Sequence, residues 1–368
     1  MRKNVKKQLA LRVLSTAALV AMVSSIATAA FADTYDLNTG SVTVETKANG
    51  ITYVTQKDDK QVDGFARNKN NEILNEHPDD TGVTITSDGR QTSNTITVET
   101  AKDQTTDVTL DKVHIEVDTA KTKSGAIEIK GDGDTNLELN GNNTVLVKND
   151  WEEEHAAIEK ADTYGKGTLT IKDDLNDDNT PKDKDENGNA VGGDTGKLVA
   201  GGYHDAAAIG GGGTDDTACT SNITITGGEI TANGGTYGAG IGGGYSGDAS
   251  NIRIEGNADV TAFGDSGAAI GSSYHARGNS DITITDHATV TAASLDACAI
   301  GGGQDADGKV TVTISGHASV NAQTRNPPAA IGSDRSSATV NIEDNADVTA
   351  VGGGVAIGTG YGMKAPPL

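Results

Sequence analysis

The chain has 368 residues, with 29 lysines and arginines against 52 aspartates and glutamates, a net charge of −23. So acidic a surface repels nucleic acid and anionic lipid, and it meets an acidic polymer only through a cation such as calcium. With 48 glycines, 3% aromatic residues and two cysteines, the composition argues against a helical bundle and a disulfide-stapled scaffold, and favours many short strands joined by tight turns.

The first 32 residues read as an export signal. Arg2, Lys3, Lys6, Lys7 and Arg12 make a basic start, Leu9 to Ile26 an apolar run, and Ala30-Phe31-Ala32 a small-residue cleavage site. The run is interrupted by Arg12, Ser15, Thr16, Ser24 and Ser25, too mixed for a membrane span. The mature chain is therefore expected to start near Asp33, without a transmembrane segment, and to be secreted or held at a bacterial surface.

Residues 33–81 are expected to form a strand-and-loop entry or a cap. "SVTVET" (41–46) alternates as a strand does, and so do "GVTITSD" (82–88) and "NTITVET" (94–100), whereas residues 56–80 are polar and charged and read as a loop. Downstream the chain returns repeatedly to Ala-Ile, at Ile127, Ile158, Ile209, Ile241, Ile270, Ile300, Ile331 and Ile357. The spacings are 31, 51, 32, 29, 30, 31 and 26, so one unit is about 30 residues and the long interval carries an insertion.

Between successive Ala-Ile segments lie two more strand-like pieces, as in "NITITGGEITA" (222–232) and "DITITDHATVTA" (281–292), whose isoleucines alternate with a period of two. Three short strands per unit cannot bury an inward face alone. Stacked at about 4.8 Å per coil, such units make a solenoid, the all-β right-handed parallel β-helix expected over residues 82–361. A β-propeller would need about four strands per blade with aromatic signatures. Residues 362–368 form a tail, and the lack of a cap there reads as truncation or as capping by another module. Cys219 and Cys298 fall three coils apart, beyond disulfide reach, and are expected as free, packed thiols.

The insertion, residues 172–197, includes "DKDENGNAVGGD". Asp183, Asp185 and Asn187 fall at positions 1, 3 and 5 of a calcium-loop pattern, with a turn glycine at Gly188, the carbonyl of Asn189 at position 7 and Asp194 at position 12. Position 12 is Asp rather than Glu and no helices flank the loop, and a solvated acidic loop has the same composition.

Four residues past each Ala-Ile isoleucine come Gly213, Tyr245, Tyr274, Gln304, Arg335 and Tyr361. Facing outward, Tyr245 and Tyr274 would stack sugar rings on neighbouring coils, with Gln304, Arg335 and Tyr361 continuing the column. The same residues would also serve to cover a turn. A third column, Asn257, His287, His317 and Asn345, reads as left-handed turn residues rather than metal ligands. The paired carboxylates lie in loops and lack an accompanying base, so no residue is assigned a catalytic role.

The segments "DVTLDKVHIEVDTAKTKSGAIEIKG", "GAGIGGG" (238–244) and "NITITGGEITA" resemble secreted Gram-positive carbohydrate-binding domain-containing proteins with a right-handed parallel β-helix, over roughly residues 82–361. The resemblance implies a pectate-lyase-like fold, and for some members binding of plant cell-wall polysaccharide with calcium. The leading expectation is a non-catalytic exported protein that binds plant or bacterial cell-wall polysaccharide, with calcium as its one cofactor. A polysaccharide lyase or hydrolase on the same scaffold and a purely structural or adhesive stalk are the alternatives.

Overall fold

Alternating branched residues turn one side of every strand inward. In Thr220–Ile225 the side chains of Ile223 and Ile225 are fully buried on either side of Thr224, and in Glu229–Asn233 Ile230 and Ala232 do the same. The computed structural model describes residues 33–57, 72–77, 82–148, 154–173, 183–184, 190–191, 195–214, 216–326 and 328–360, the strands 72–77, 183–184 and 190–191 by backbone alone.

The strands form three sheets of ten, nine and twelve strands. Each coil passes through the three in that order, and each strand pairs in parallel with its equivalent one coil on, as Ile223 with Ile252, Ile230 with Val260 and Ile241 with Ile270. The chain is a right-handed parallel β-solenoid. Its helical content among the described residues is one turn, Thr119–Thr122.

The Ala-Ile segments form the third strand of each coil, only two residues long in the middle coils. Ile127, Ile158, Ile209, Ile241, Ile270, Ile300, Ile331 and Ile357 stack in one column, and Val42 and Ile96 extend it upstream. The glycines that follow, Gly210, Gly242, Gly271, Gly301, Gly332 and Gly358, all have φ between +128° and +142°. This conformation aims each carbonyl along the solenoid axis, where Gly271 O accepts from Gly243 N at 3.1 Å and Gly301 O from Ser272 N at 3.0 Å. A Cβ on any of the first five would strike the carbonyl oxygen of the next glycine, so the column admits no other residue in this form.

Three expectations change. The solenoid starts before residue 82: Asp33–Asp36 and Val42–Thr46 already pair in parallel with Val83–Thr86 and Ile96–Thr100. Residues 56–80 are not all loop, because Thr52–Lys57 and Glu72–His77 pair antiparallel beyond Val42–Thr46, covering the edge of that sheet. Gln56, polar in sequence, is buried because its amide donates to the carbonyls of Asp36 and Gly40.

The column Asn257, His287, His317 and Asn345 does lie at a turn, but the left-handed residues are the ones before it, Gly256, Asp286, Gly316 and Asp344. The side chain of Asp286 accepts from Gly256 N and that of Asp344 from Gly316 N, which ties successive turns together. His287 and His317 are exposed and stacked, 5.2 Å between ring centres. The acidic insertion enters after Leu169–Asp173 and rejoins at Lys197–Gly201, between the ten- and nine-stranded sheets, and holds a short antiparallel pair, Asp183–Lys184 with Ala190–Val191.

The last described coil leaves Ile342, Val355 and Ile357 between 38% and 44% exposed, whereas their equivalents one coil before, Ile314, Ala329 and Ile331, are fully buried. Among the described residues no helix is long and apolar enough to cross a membrane.

Candidate functional site

A two-residue third strand brings the turns on either side of it close together. Tyr237 stands in the turn before Ile241-Gly242, and Tyr245 in the turn after it, with Tyr274 one coil on. The Tyr245 and Tyr274 rings are 5.9 Å apart and tilted by 39°, and Tyr237 lies 5.1 Å from Tyr274 and 5.9 Å from Tyr245. All three rings are half-buried, so each keeps part of its surface in contact with solvent. His275 packs edge-on to Tyr274, and Tyr203 is 47% exposed one coil below Tyr237. Three of the eight tyrosines of the chain thus meet at one place.

Beyond the tyrosines toward the N-terminus the site becomes acidic. His204 packs edge-on to Tyr237, and its Nδ1 lies 3.1 Å from Glu154 Oε1 and 2.6 Å from Asp205 Oδ1. Burial, and then the hydrogen-bonded Asp205 carboxylate, push the Glu154 carboxyl up to about 8. Tyr245 N donates to Asp205 O at 2.7 Å, which welds the acidic group to the aromatic one. Gly213 makes room for both carboxylates: a Cβ there would lie 2.6 Å from Glu154 Oε2 and 2.7 Å from Asp205 Cβ.

Among the described residues two groups of side chains could hold a metal ion, Glu154 with His204 and Asp205, and Glu128 with His155 and Glu159. An open pocket of about 490 Å³ near Gln91 and Glu116 is lined by residues already paired among themselves, Lys148 with Glu116 and Lys121 with Asp118.

The structure brings Tyr245 and Tyr274 together as the spacing requires. Gln304 continues the column: its carbonyl accepts from His275 N at 3.0 Å. Arg335 is exposed but committed, since its guanidinium pairs with Asp305 of the coil below. Tyr361, and Asp185, Asn187, Asn189 and Asp194 of the calcium pattern, lie outside the described residues, and Asp183 is placed by backbone only, opposite Val191. Cys219 and Cys298 are both free, the first half-buried and the second fully buried.

The sequence reading missed Tyr237, Glu154 and Asp205. They belong to the turn before Ala-Ile, and a column counted only forward from the isoleucine does not reach them. It also missed Glu128 and Glu159, although "Ala-Ile-Glu" stands twice where later coils have "Ala-Ile-Gly".

By fold and repeat the chain is a β-helix protein. A family model described as a beta helix repeat matches residues 223–245, 252–274 and 282–304. These are three consecutive coils, and each match ends on the column residue, Tyr245, Tyr274 or Gln304. Comparison with curated proteins and with solved structures found no match.

Proposed function

We propose that the chain is an exported, non-catalytic β-helix protein that binds cell-wall polysaccharide across the Tyr237, Tyr245 and Tyr274 rings. The observation that carries this reading is the meeting of three half-buried tyrosines from two turns and two coils, in a chain otherwise poor in aromatic residues. Half-buried phenol rings offer an apolar face to the C–H face of a pyranose and a hydroxyl to its substituents. His204 and the Glu154–Asp205 pair at one end and Arg335 with Asp305 at the other supply polar partners for the sugar hydroxyls. Calcium, held by the 183–194 loop, serves in this reading as a structural or bridging ion between an acidic protein and an acidic glycan.

Affinity electrophoresis in gels containing cellulose, pectin or xylan, each with and without calcium, tests the proposal. The wild-type chain should be retarded on at least one of them, and Tyr245→Ala with Tyr274→Ala should migrate freely on the same gel. Equal mobility of the two proteins on every gel would remove the ladder from consideration.

A further inference from the structure

Before Gly210 the column position is not glycine, and in two coils it is glutamate. Glu128 pairs with Glu159, and Glu159 with Gly210, so both glutamates occupy the position that glycine holds from Gly210 onward. Glu128 is 5% exposed and Glu159 is fully buried. Carboxylates on adjacent parallel strands stand about 4.8 Å apart at the backbone, and burying both without compensating charge is costly.

The surroundings compensate only in part. Lys130 Nζ reaches Glu128 at 2.8 Å, while Glu159 Oε2 accepts from Ala156 N at 2.9 Å and lies 2.9 Å from His155 Nδ1. Lys160, also buried, is turned elsewhere, its Nζ donating to Gly165 O. Glu159 Oε1 is left buried without a hydrogen-bond partner among the described residues. A carboxylate oxygen at full burial requires a donor, a proton or an ion, and the hydroxyl of Tyr164, pushed up by burial and by the Glu159 carboxylate, is the further donor beside it.

We propose that Glu128, His155 and Glu159 hold a divalent transition-metal ion of the zinc or manganese class. One ligand atom from each already lies within 4.8 Å of the other two. Metal–ligand bonds of about 2.0–2.2 Å require these atoms to draw in around the ion, with Glu159 Oε1 becoming a ligand. The imidazole nitrogen favours zinc over calcium, which takes six to eight oxygens, while the two carboxylates also admit manganese. His155, 9% exposed, is the most exposed of the three ligands and marks the route of entry. Gly212 is part of the site, since a Cβ there would lie 2.9 Å from Glu159 Oε2. The site does not depend on glycan binding, and it draws no ligand from residues 183–194.

The test uses the full chain, stripped with EDTA and titrated calorimetrically with ZnCl2, MnCl2 and CaCl2, with thermal melting followed in parallel. The wild-type chain is expected to bind zinc or manganese in preference to calcium and to melt at a higher temperature when loaded. Glu159→Gln and His155→Gln should each weaken that binding by more than about tenfold, a loss that even an outer-shell partner can cause. Asp205→Asn, in the neighbouring acidic group, should leave it intact. Melting of the wild-type chain that is indifferent to both metals would overturn the proposal, a readout that no variant's folding affects. Binding that survives in Glu159→Gln or is lost in Asp205→Asn would overturn it too, and a preference for calcium would do the same.

Discussion

Glu128 lies directly beneath Glu159, one coil apart, and Lys130 ties the lower of the two to its own strand. Two like charges in register are destabilising unless each has a cation or a donor. Removing the Lys130 ammonium should therefore expose the repulsion. Lys130→Met is expected to lower stability by about 1–3 kcal/mol, the cost of leaving a buried group unpaired. Adding Glu128→Gln should return part of that loss, and urea melts of the single and double variants give the coupling directly.

Gly271 has φ +136°, and a Cβ on it would meet the carbonyl oxygen of Gly301. Gly271→Ala is expected to cost about 1–3 kcal/mol from backbone strain before the clash is counted. Gly358 has the same sign of φ but nothing nearer than 4.0 Å, so Gly358→Ala should cost less. Thermal midpoints of the two variants measured side by side would contradict the column's role if they were equal.

Burial pushes up the carboxyls of Asp248, Asp265 and Asp334, and it pushes Glu154 from 4.5 up to about 8. A carboxyl with a raised folded value holds its proton more tightly folded than unfolded. Its contribution is complete below the unfolded value and is lost as pH rises through the folded one. For Glu154 the window runs from 4.5 to about 8. Asp118, pulled down by its hydrogen bond to Lys121, acts in the opposite sense. Glu154 should therefore raise the thermal midpoint as the pH falls from about 9 to about 6, against buried Lys160, whose ammonium is pulled down by burial, and Glu154→Gln should remove that share of the climb. A climb larger in Glu154→Gln than in the wild-type chain would reverse the sign of the argument.

Both thiols are pushed up by burial, Cys298 behind the fully packed Ala299-Ile300 strand and Cys219 near the Asp248 carboxylate. Since the thiolate is the reactive form, neither should react quickly with an aromatic disulfide reagent in the folded chain near neutral pH. In guanidinium chloride both should react at once. Two fast equivalents from the native protein would mean that the coils open readily around these positions.

The rungs were legible because burial obeys a period. Ile241, Ile270 and Ile300 recur at one spacing, and nothing but stacking explains a repeat of residues with no chemistry in them. The column four residues on was legible for the same reason, which is why Tyr245 and Tyr274 came out as neighbours. Tyr237 and Glu154, each four residues before its isoleucine, were not, because a column counted only forward from the isoleucine does not reach the turn before it. Asp205 and Glu154 sit in different coils, and only the stacking of one turn on the next joins them. The left-handed residue was misplaced by one at His287, since Asp286 meets the same steric demand and adds a side-chain hydrogen bond to Gly256 N.

The left-handed glycine at the close of each third strand hands its carbonyl to the coil before and takes the next coil's in return. Every coil from Gly210 on therefore presents the same connector at top and bottom, and the isoleucine intervals of 29 to 32 residues from Ile209 to Ile331 show the connector being reused. A gene segment encoding one whole coil can be duplicated or deleted in place, and the coils on either side still join. The turn residue after each connector stands outside that constraint. Tyrosine at 245 and 274, glutamine at 304 and arginine at 335 are the variants that such copying leaves open to change.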